Sequence, residues 1–404
     1  MLRRVIAAAA LALLLAACGE TTAPPVPGPA NYSGKVLHLG AILSLSGAGS
    51  ALGIEQQNAI SLAVEQLNAN GGVSGAKVAV DIQDDASDPQ QGLQVLQALV
   101  RDRKVVGIIG PTLANTALTT DPEAQRLKTP VILPSSFGAT IPGACAKPCD
   151  YLFRDSLSQA ASIPVNVKEA ATRLHPRTAA ILYAADDRTS AEGAVLFQQA
   201  FTDNGITVAP AAVQSFAKAE TSLQPFVAAA LGRRADVWAV SAQGQVPAAI
   251  VREARTEGFT GPILGGGGFT ADGLAAQLGA SGKSVQFASA YFAGLGTPAN
   301  TAFLTAYRAK FKDPAGVAKT PGELAAQAYS AVLLFAAAAP EAALTFRNPV
   351  ADRSALRDAL ARVSASTPLG SVEFTSTHDV RQPIYTLEVD GKGGYTLLST
   401  LPPR

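Results

Sequence analysis

Three cysteines, an acidic cluster and two glycine-rich stretches are where residue type and spacing in this chain could do chemistry. Asp84, Asp85 and Asp88 could hold a cation or trade protons. Asp88 also stands directly before Pro89, as a helix N-cap stands before a first-turn proline, and capping is the preferred reading. Gly279-Ala280-Ser281-Gly282-Lys283-Ser284 ends like a phosphate-binding loop, but Gln277 occupies the position of the glycine that should open the motif. No Gly-x-Ser-x-Gly elbow of a hydrolase is present. The glycines at 265–268 could let backbone approach a ligand closely or form a flexible loop. Cys145 and Cys149 enclose Ala-Lys-Pro, and in an oxidising compartment the pair is expected to close a small disulfide loop. A metal clip would need two more ligands, yet His38, His175 and His378 are scattered along the chain. A redox dithiol normally has a two-residue spacer. Neither a metal nor a cofactor is expected, and the chain does not read as an enzyme.

The third cysteine lies at the end of an export signal. Arg3 and Arg4 precede an apolar run, residues 5–15, that is too short to span a bilayer. The run closes on Leu15-Ala16-Ala17-Cys18-Gly19, which resembles a bacterial lipobox; an ordinary signal peptide with a chance cysteine is the alternative. The expectation is a signal peptide at 1–17 and an acylated Cys18 inserted in the bilayer. A Pro- and Gly-rich tether would follow at 18–34, and the body would sit in the cell envelope. The later apolar run 325–339 is short and interrupted by Gln327, Tyr329 and Ser330, so it does not read as a span.

These residues need a scaffold, and the charge balance says which kinds to exclude. The 32 basic and 31 acidic residues nearly cancel and aromatic residues are 6%, so no nucleic-acid partner is expected. Short apolar runs alternate with helical patterns. Strands are expected at 35–43, 77–83, 105–109 and 131–133, with helices at 54–68, 89–101 and 113–125 between them. In the first helix Ala59, Leu62, Ala63 and Leu67 form an apolar stripe. The alternation restarts with strands at 178–183, 207–212, 237–241 and 262–265 and helices at 191–204, 222–231 and 246–257. Helices at 300–311, 321–338 and 354–363 follow, then a hairpin of 372–375 with 383–389 that turns at Asp390-Gly391 into 395–398. Two β-α-β series predict an α/β fold of two doubly wound parallel-sheet lobes. Ligands of such sheets bind beyond the carboxyl ends of the strands, which places the polar loops 44–50, 110–112, 134–137, 185–188, 241–244 and 265–268 around one cleft.

Four segments in order along the chain carry a family resemblance. They are Gly40 with Ser46-Gly47 through Asn68-Ala69-Asn70-Gly71-Gly72-Val73-Ser74-Gly75; Asp84-Asp85-Ala86-Ser87-Asp88-Pro89; Val106-Gly107-Ile108-Ile109-Gly110-Pro111 with Pro130-Val131-Ile132-Leu133-Pro134-Ser135; and Phe153-Arg154. This order resembles the leucine/isoleucine/valine-binding protein family, the type I periplasmic binding proteins of ABC importers. The resemblance implies two lobes joined by three crossovers near 155–158, 287–290 and 367–370, closing on a small-molecule ligand that a membrane permease then takes over. Lobe 1 would comprise 35–156 with 289–367, and lobe 2 would comprise 157–288 with 368–404.

Carried over residue by residue, the ligand's carboxylate would meet Ala114, Asn115 and Thr116, where the family has a hydroxyl at the Ala114 position. Phe137 stands where a threonine is usual, beside Ser135 and Ser136; Ser190 and Gln243 stand in tyrosine regions; and Gly267 replaces an acidic residue. Ser46, Leu52 and Phe269 complete the expected cleft. A ligand ammonium would therefore lack its partner, which a buried charge does not tolerate. Either Asp186, Asp187 or Asp272 supplies it, or the ligand is not an α-amino acid but an apolar or aromatic molecule with one polar end. A sensory or scaffold lipoprotein that keeps the fold without delivering a solute is the alternative function.

Overall fold

The computed structural model describes residues 30–138, 150–271 and 273–403. The signal segment, most of the tether, Cys18, Cys145, Cys149 and Asp272 lie outside the described residues.

Alternation of apolar side chains builds the first sheet. In β1 (Val36–Leu43), Leu37, Leu39, Ala41 and Leu43 face one core while Ile42 faces another, so helices cover both sides. It pairs in parallel with β2 (Lys77–Asp84) and β3 (Ile108–Ile109), and β4 (Val131–Leu133) and β5 (Leu152–Arg154) extend the sheet in the order β2-β1-β3-β4-β5. The crossover helices are α1 (Ser50–Ala69), α2 (Pro89–Arg101) and α3 (Ala114–Arg126). Asp88 caps α2 as expected, accepting hydrogen bonds from the N–H groups of Gln90 (2.9 Å) and Gln91 (2.8 Å).

The second sheet runs β15-β14-β10-β9-β8-β6-β7. Its helices and parallel strands are α4 (Gln159–Leu174), β6 (Thr178–Ala184), α5 (Arg188–Asp203), β7 (Thr207–Phe216), α6 (Gln224–Leu231), β8 (Val237–Ser241), α7 (Val246–Thr256), β9 (Ile263–Gly265), α8 (Leu274–Leu278) and β10 (Val285–Ser289). The chain then returns to the first lobe with α9 (Pro298–Lys310), α10 (Glu323–Glu341) and α11 (Pro349–Leu360). A three-stranded sheet of β11 (Ser364–Thr367), β12 (Gly370–Phe374) and β13 (Val380–Arg381) follows. The chain finally adds β14 (Ile384–Val389) and β15 (Tyr395–Leu401) antiparallel to the edge at β10. Among the described residues α10 alone is long and apolar enough to cross a membrane, and 83% of that stretch is buried in the first core.

Four sequence expectations need correction. Helix α4 has no counterpart among the expected elements; it is a 16-residue helix with Pro164 inside it. The carbonyl that Pro164 leaves without an N–H donor belongs to Ala160, an exposed residue. The tether ends before residue 34. Tyr32 is buried, its hydroxyl donates to the Ala339 carbonyl (3.0 Å) and accepts from the Leu344 N–H (3.0 Å), and its ring meets Phe346 edge to face. Residues 368–381 join the first lobe instead of the second, since Leu369, Val372 and Phe374 belong to the first core. The third crossing of the chain therefore falls at 382–384, and β12 pairs with β11 and β13 where pairing with the 383–389 strand was expected.

Candidate functional site

At the carboxyl ends of the first sheet, hydroxyls and one glutamine hold the loops to each other. The Ser44 N–H donates to Thr112 Oγ1 (3.0 Å), which donates to Gln56 Oε1 (2.7 Å). Gln56 Nε2 donates to Ser135 Oγ (3.0 Å), and Ser135 Oγ donates to the Thr112 carbonyl (2.7 Å). Gln56, on the buried face of α1, thus clasps the loops after β3 and β4. Gly53 is needed beside it, because a Cβ there would run into the Ser44 carbonyl. Behind this rim, burial raises Asp85 above the usual carboxylate range despite bonds from Ser44 Oγ (2.7 Å) and the Ser87 N–H (2.8 Å). For Asp84, burial pushes up, but bonds from Ser46 Oγ and the N–H groups of Ala86, Leu45 and Ser46 outweigh it and hold the carboxyl low.

The N-terminus of α3 is open. Its N-cap is Leu113, which has no side chain to cap with, and the first turn carries no acid. The first ladder bond runs from the Ala117 N–H to the Leu113 carbonyl (3.1 Å). The N–H groups of Ala114, Asn115 and Thr116 therefore have no acceptor among the described residues, at an end carrying about half a positive charge. Such an end suits a carboxylate. The facing end of α5 is closed, because Asp187 accepts from both the N–H (2.8 Å) and the hydroxyl (2.7 Å) of Ser190.

Gln159 joins the two rims. Its N–H donates to the Phe137 carbonyl (2.8 Å), its Nε2 donates to the Thr189 carbonyl (2.9 Å), and its Oε1 accepts from the Gly267 N–H (3.4 Å). Phe137 and Gly267 meet here, since a Cβ on Gly267 would lie 3.6 Å from Cβ of Phe137. Leu52 and Ala114 are half-buried at the starts of α1 and α3, Asn115 is exposed, and Gln243 is half-buried after β8. Ser46 is exposed with its hydroxyl on Asp84 (2.7 Å).

Five of the expected cleft residues are buried. Thr116 is buried and its methyl fills the space left by Gly92 of α2. Ser135 is occupied in the Gln56 network. Ser136 is buried, its N–H donating to Ser156 Oγ (2.8 Å). Ser190 is buried as part of the α5 cap. Phe269 is wholly buried in the second core, seated over Gly265 and 6.4 Å from the Phe287 ring. Asp186 accepts the Lys218 N–H (2.5 Å), so it and the capping Asp187 are both engaged within their own lobe. Among the described residues no cluster of His, Cys, Asp or Glu could hold a metal.

The turn Gly267–Thr270 leads from this junction to an interlobe cavity of about 710 Å³ that touches none of the expected residues. Thr270, Phe287 and Tyr395 line it from the second lobe, and Arg308, Thr320 and Glu323 from the first. Glu323 closes its floor at the second crossover. Its carboxylate accepts from the hydroxyl of Ser289, from the Ala290 N–H (2.9 Å) and from Gln327 Nε2 (3.1 Å), and burial pushes it up to about 7. The one signal for it in the sequence is an acid at the opening of an otherwise apolar helix.

Known proteins share this architecture. A leucine-, isoleucine-, valine-, threonine- and alanine-binding protein of Pseudomonas aeruginosa is 26% identical over 368 residues, covering 90% of this chain and 87% of the relative. The isoleucine complex of a branched-chain amino acid transporter substrate-binding protein from Streptococcus pneumoniae superposes with a TM-score of 0.76 at 23% identity, covering 91% of this chain and 99% of that one. The benzoate complex of an ABC transporter solute-binding protein from R. palustris gives 0.76 at 22%, covering 91% and 97%. Both structural likenesses speak for the fold. The model of one family, described as periplasmic binding protein, matches residues 36–394, from the first strand of one lobe to the last hairpin of the other, and the chain belongs to that family.

Proposed function

We propose that the chain is the envelope receptor of an ABC importer and captures a small apolar or aromatic carboxylate by closure of its two lobes. The observation that carries the ligand class is the open N-terminus of α3, three N–H groups without an acceptor among the described residues, in a rim where Gly267 offers no acid and Asp186 and Asp187 are engaged. A carboxylate finds donors there; among the described residues of that rim an ammonium finds no free acid. Phe137, opposite Gly267, supplies an aromatic wall. Related structures divide between these chemistries, with isoleucine in one and benzoate, 3,4-dihydroxybenzoic acid or 4-hydroxybenzoate in others. Acylation of Cys18 would anchor the receptor to the membrane, and the permease subunits would read the closed form. Ser46, Leu52, Ala114, Asn115, Phe137, Gln243 and Gly267 are the residues we assign to the cleft surface.

A thermal-shift panel of benzoates, other aromatic acids and branched-chain amino acids tests the ligand class. A ligand at 100 times its Kd adds about 2.7 kcal/mol of stability, which the melting curve registers. Leucine raising the melting temperature while every aromatic acid fails would overturn the assignment. A sensory role is the second reading, favoured by 36% identity over 104 residues to a chemotactic signal transduction substrate-binding protein of Halobacterium salinarum, covering 24% of this chain. Unchanged uptake of the best ligand after deletion of the gene would favour that role over transport.

A further inference from the structure

The strand starts of the first sheet form a second recess, far from the ligand loops, because parallel strands carry their amino ends to the opposite pole. Its volume is about 440 Å³. Lys35, Arg103, Lys104 and Arg347 line it and all four are exposed. Among the described residues only Arg103 of the four reaches an acid, Asp81 at 3.6 Å. Asp352 is the one acid in the lining, and it is buried, accepting the N–H of Thr345 (2.7 Å) and of Phe346 (2.9 Å). Two of the few large apolar side chains left open to solvent, Val36 (48% exposed) and Val350 (53% exposed), flank the recess.

The chain enters the body at this pole. Tyr32 fixes residues just ahead of Lys35, so the twelve steps from Cys18 to Ala30 reach at most about 40 Å even fully extended. Cations around a cup, exposed valines at its edge and a short lead from an acylated residue are the chemistry of a bilayer surface. We propose that this pole is a docking surface for anionic phospholipid headgroups, with the phosphoryl group seated among Lys35, Lys104 and Arg347. The proposal extends the reading of Cys18 as a membrane anchor. Docking there leaves the ligand rim, at the other end of the same strands, facing away from the headgroups.

Hydrogen exchange on the full chain, purified from the membranes of an expressing bacterium and mixed with vesicles, tests this. Vesicles of phosphatidylcholine alone are compared with an equal mixture of phosphatidylcholine and phosphatidylglycerol. The expected result is slower exchange of the segments around Lys35, Lys104 and Arg347 only on the anionic vesicles, reversed at about 0.5 M salt. Each cation strengthens attachment about fivefold, so Lys35→Glu with Lys104→Glu and Arg347→Glu should abolish the protection. Lys35→Arg with Lys104→Arg should retain it. Equal exchange on the two vesicle types overturns the proposal. So does equal protection by inorganic phosphate on neutral vesicles, which would make the recess a free-anion site. Flotation with neutral vesicles reports the anchor separately: its loss sinks the Cys18 reading and leaves the difference between vesicle types interpretable.

Discussion

Replacing Glu323 by glutamine should remove a pH dependence that the native chain carries. Glu323 is 3% exposed and burial raises its carboxyl from 4.5 to about 7. A carboxyl whose folded value lies above its unfolded value favours the protonated fold. Its stabilising contribution is complete at pH below 4.5 and is lost as pH rises through about 7. At 1.36 kcal/mol per pH unit, the gap between 4.5 and about 7 amounts to about 3 kcal/mol in full. Most of that, on the order of 2 kcal/mol or more, falls between pH 5 and 8, because the unfolded carboxyl is already mostly ionised at pH 5. Glutamine keeps the shape and an acceptor for the Ala290 N–H, and it does not titrate. Urea unfolding of both chains at pH 5, 6.5 and 8 isolates the effect, since every other group is common to the two. The native chain should lose on the order of 2 kcal/mol or more against the variant over this range. A difference that stays constant within about 0.5 kcal/mol would refute the reasoning, because a carboxyl that ionises equally in both states cannot be the buried group described here.

Four further outcomes are expected. Gly267→Glu should raise affinity for leucine at least tenfold by titration calorimetry. A charge-assisted bond contributes about 1.5–3 kcal/mol, the backbone there is outside the left-handed region and the nearest atoms to a Cβ are 3.6 Å away. Gly92→Ala should cost about 1–3 kcal/mol in chemical unfolding, because the new methyl meets Thr116 inside the α2–α3 contact. Asp379→Asn should cost about 2–3 kcal/mol, since it removes the charge facing Arg154, whose side chain is 1% exposed. Cys18→Ser should abolish palmitate labelling and release the chain from the membrane fraction; retained labelling would place the anchor elsewhere.

Local signals made most of the fold legible. Asp88-Pro89 marked a helix start to the residue, and β4, β8 and α2 fall where apolar runs placed them. What failed were elements whose identity depends on partners. Helix α4 had no place among the expected elements, and it forms with Pro164 inside it, packed against α5 and β10. The strand Leu152–Arg154 is three residues long and exists because β4 lies beside it. Residues 368–381 could pair in either lobe on pattern alone, and the burial of Leu369, Val372 and Phe374 decides. Glycines 265–268 looked like a loop open to ligand, but Gly265 is small because the Phe269 ring fills its place.

The site was harder to read because its hydroxyls serve the loops before they serve a ligand. Ser135, Ser136 and Ser190 have the right type at the right strand ends, yet each bonds to its neighbours. Two glutamines do what those serines were expected to signal, and both carry a mark in the sequence. Gln56 lies three residues before Ala59 on the apolar stripe of α1, and Gln159 lies four before Ile163 on the buried face of α4. A polar side chain on a core-facing stripe costs desolvation unless both its donor and its acceptor are met. A long amide is suited to meeting two loops at once, because it offers N–H and C=O at one tip. Gln56 does so within one lobe, from Thr112 to Ser135. Gln159 does so at the seam, with its side chain on Thr189 and Gly267 and its backbone on Phe137. Buried amides on apolar helix faces therefore locate the rim more directly than the serines of the loops, since an unmet amide there would destabilise the helix that carries it.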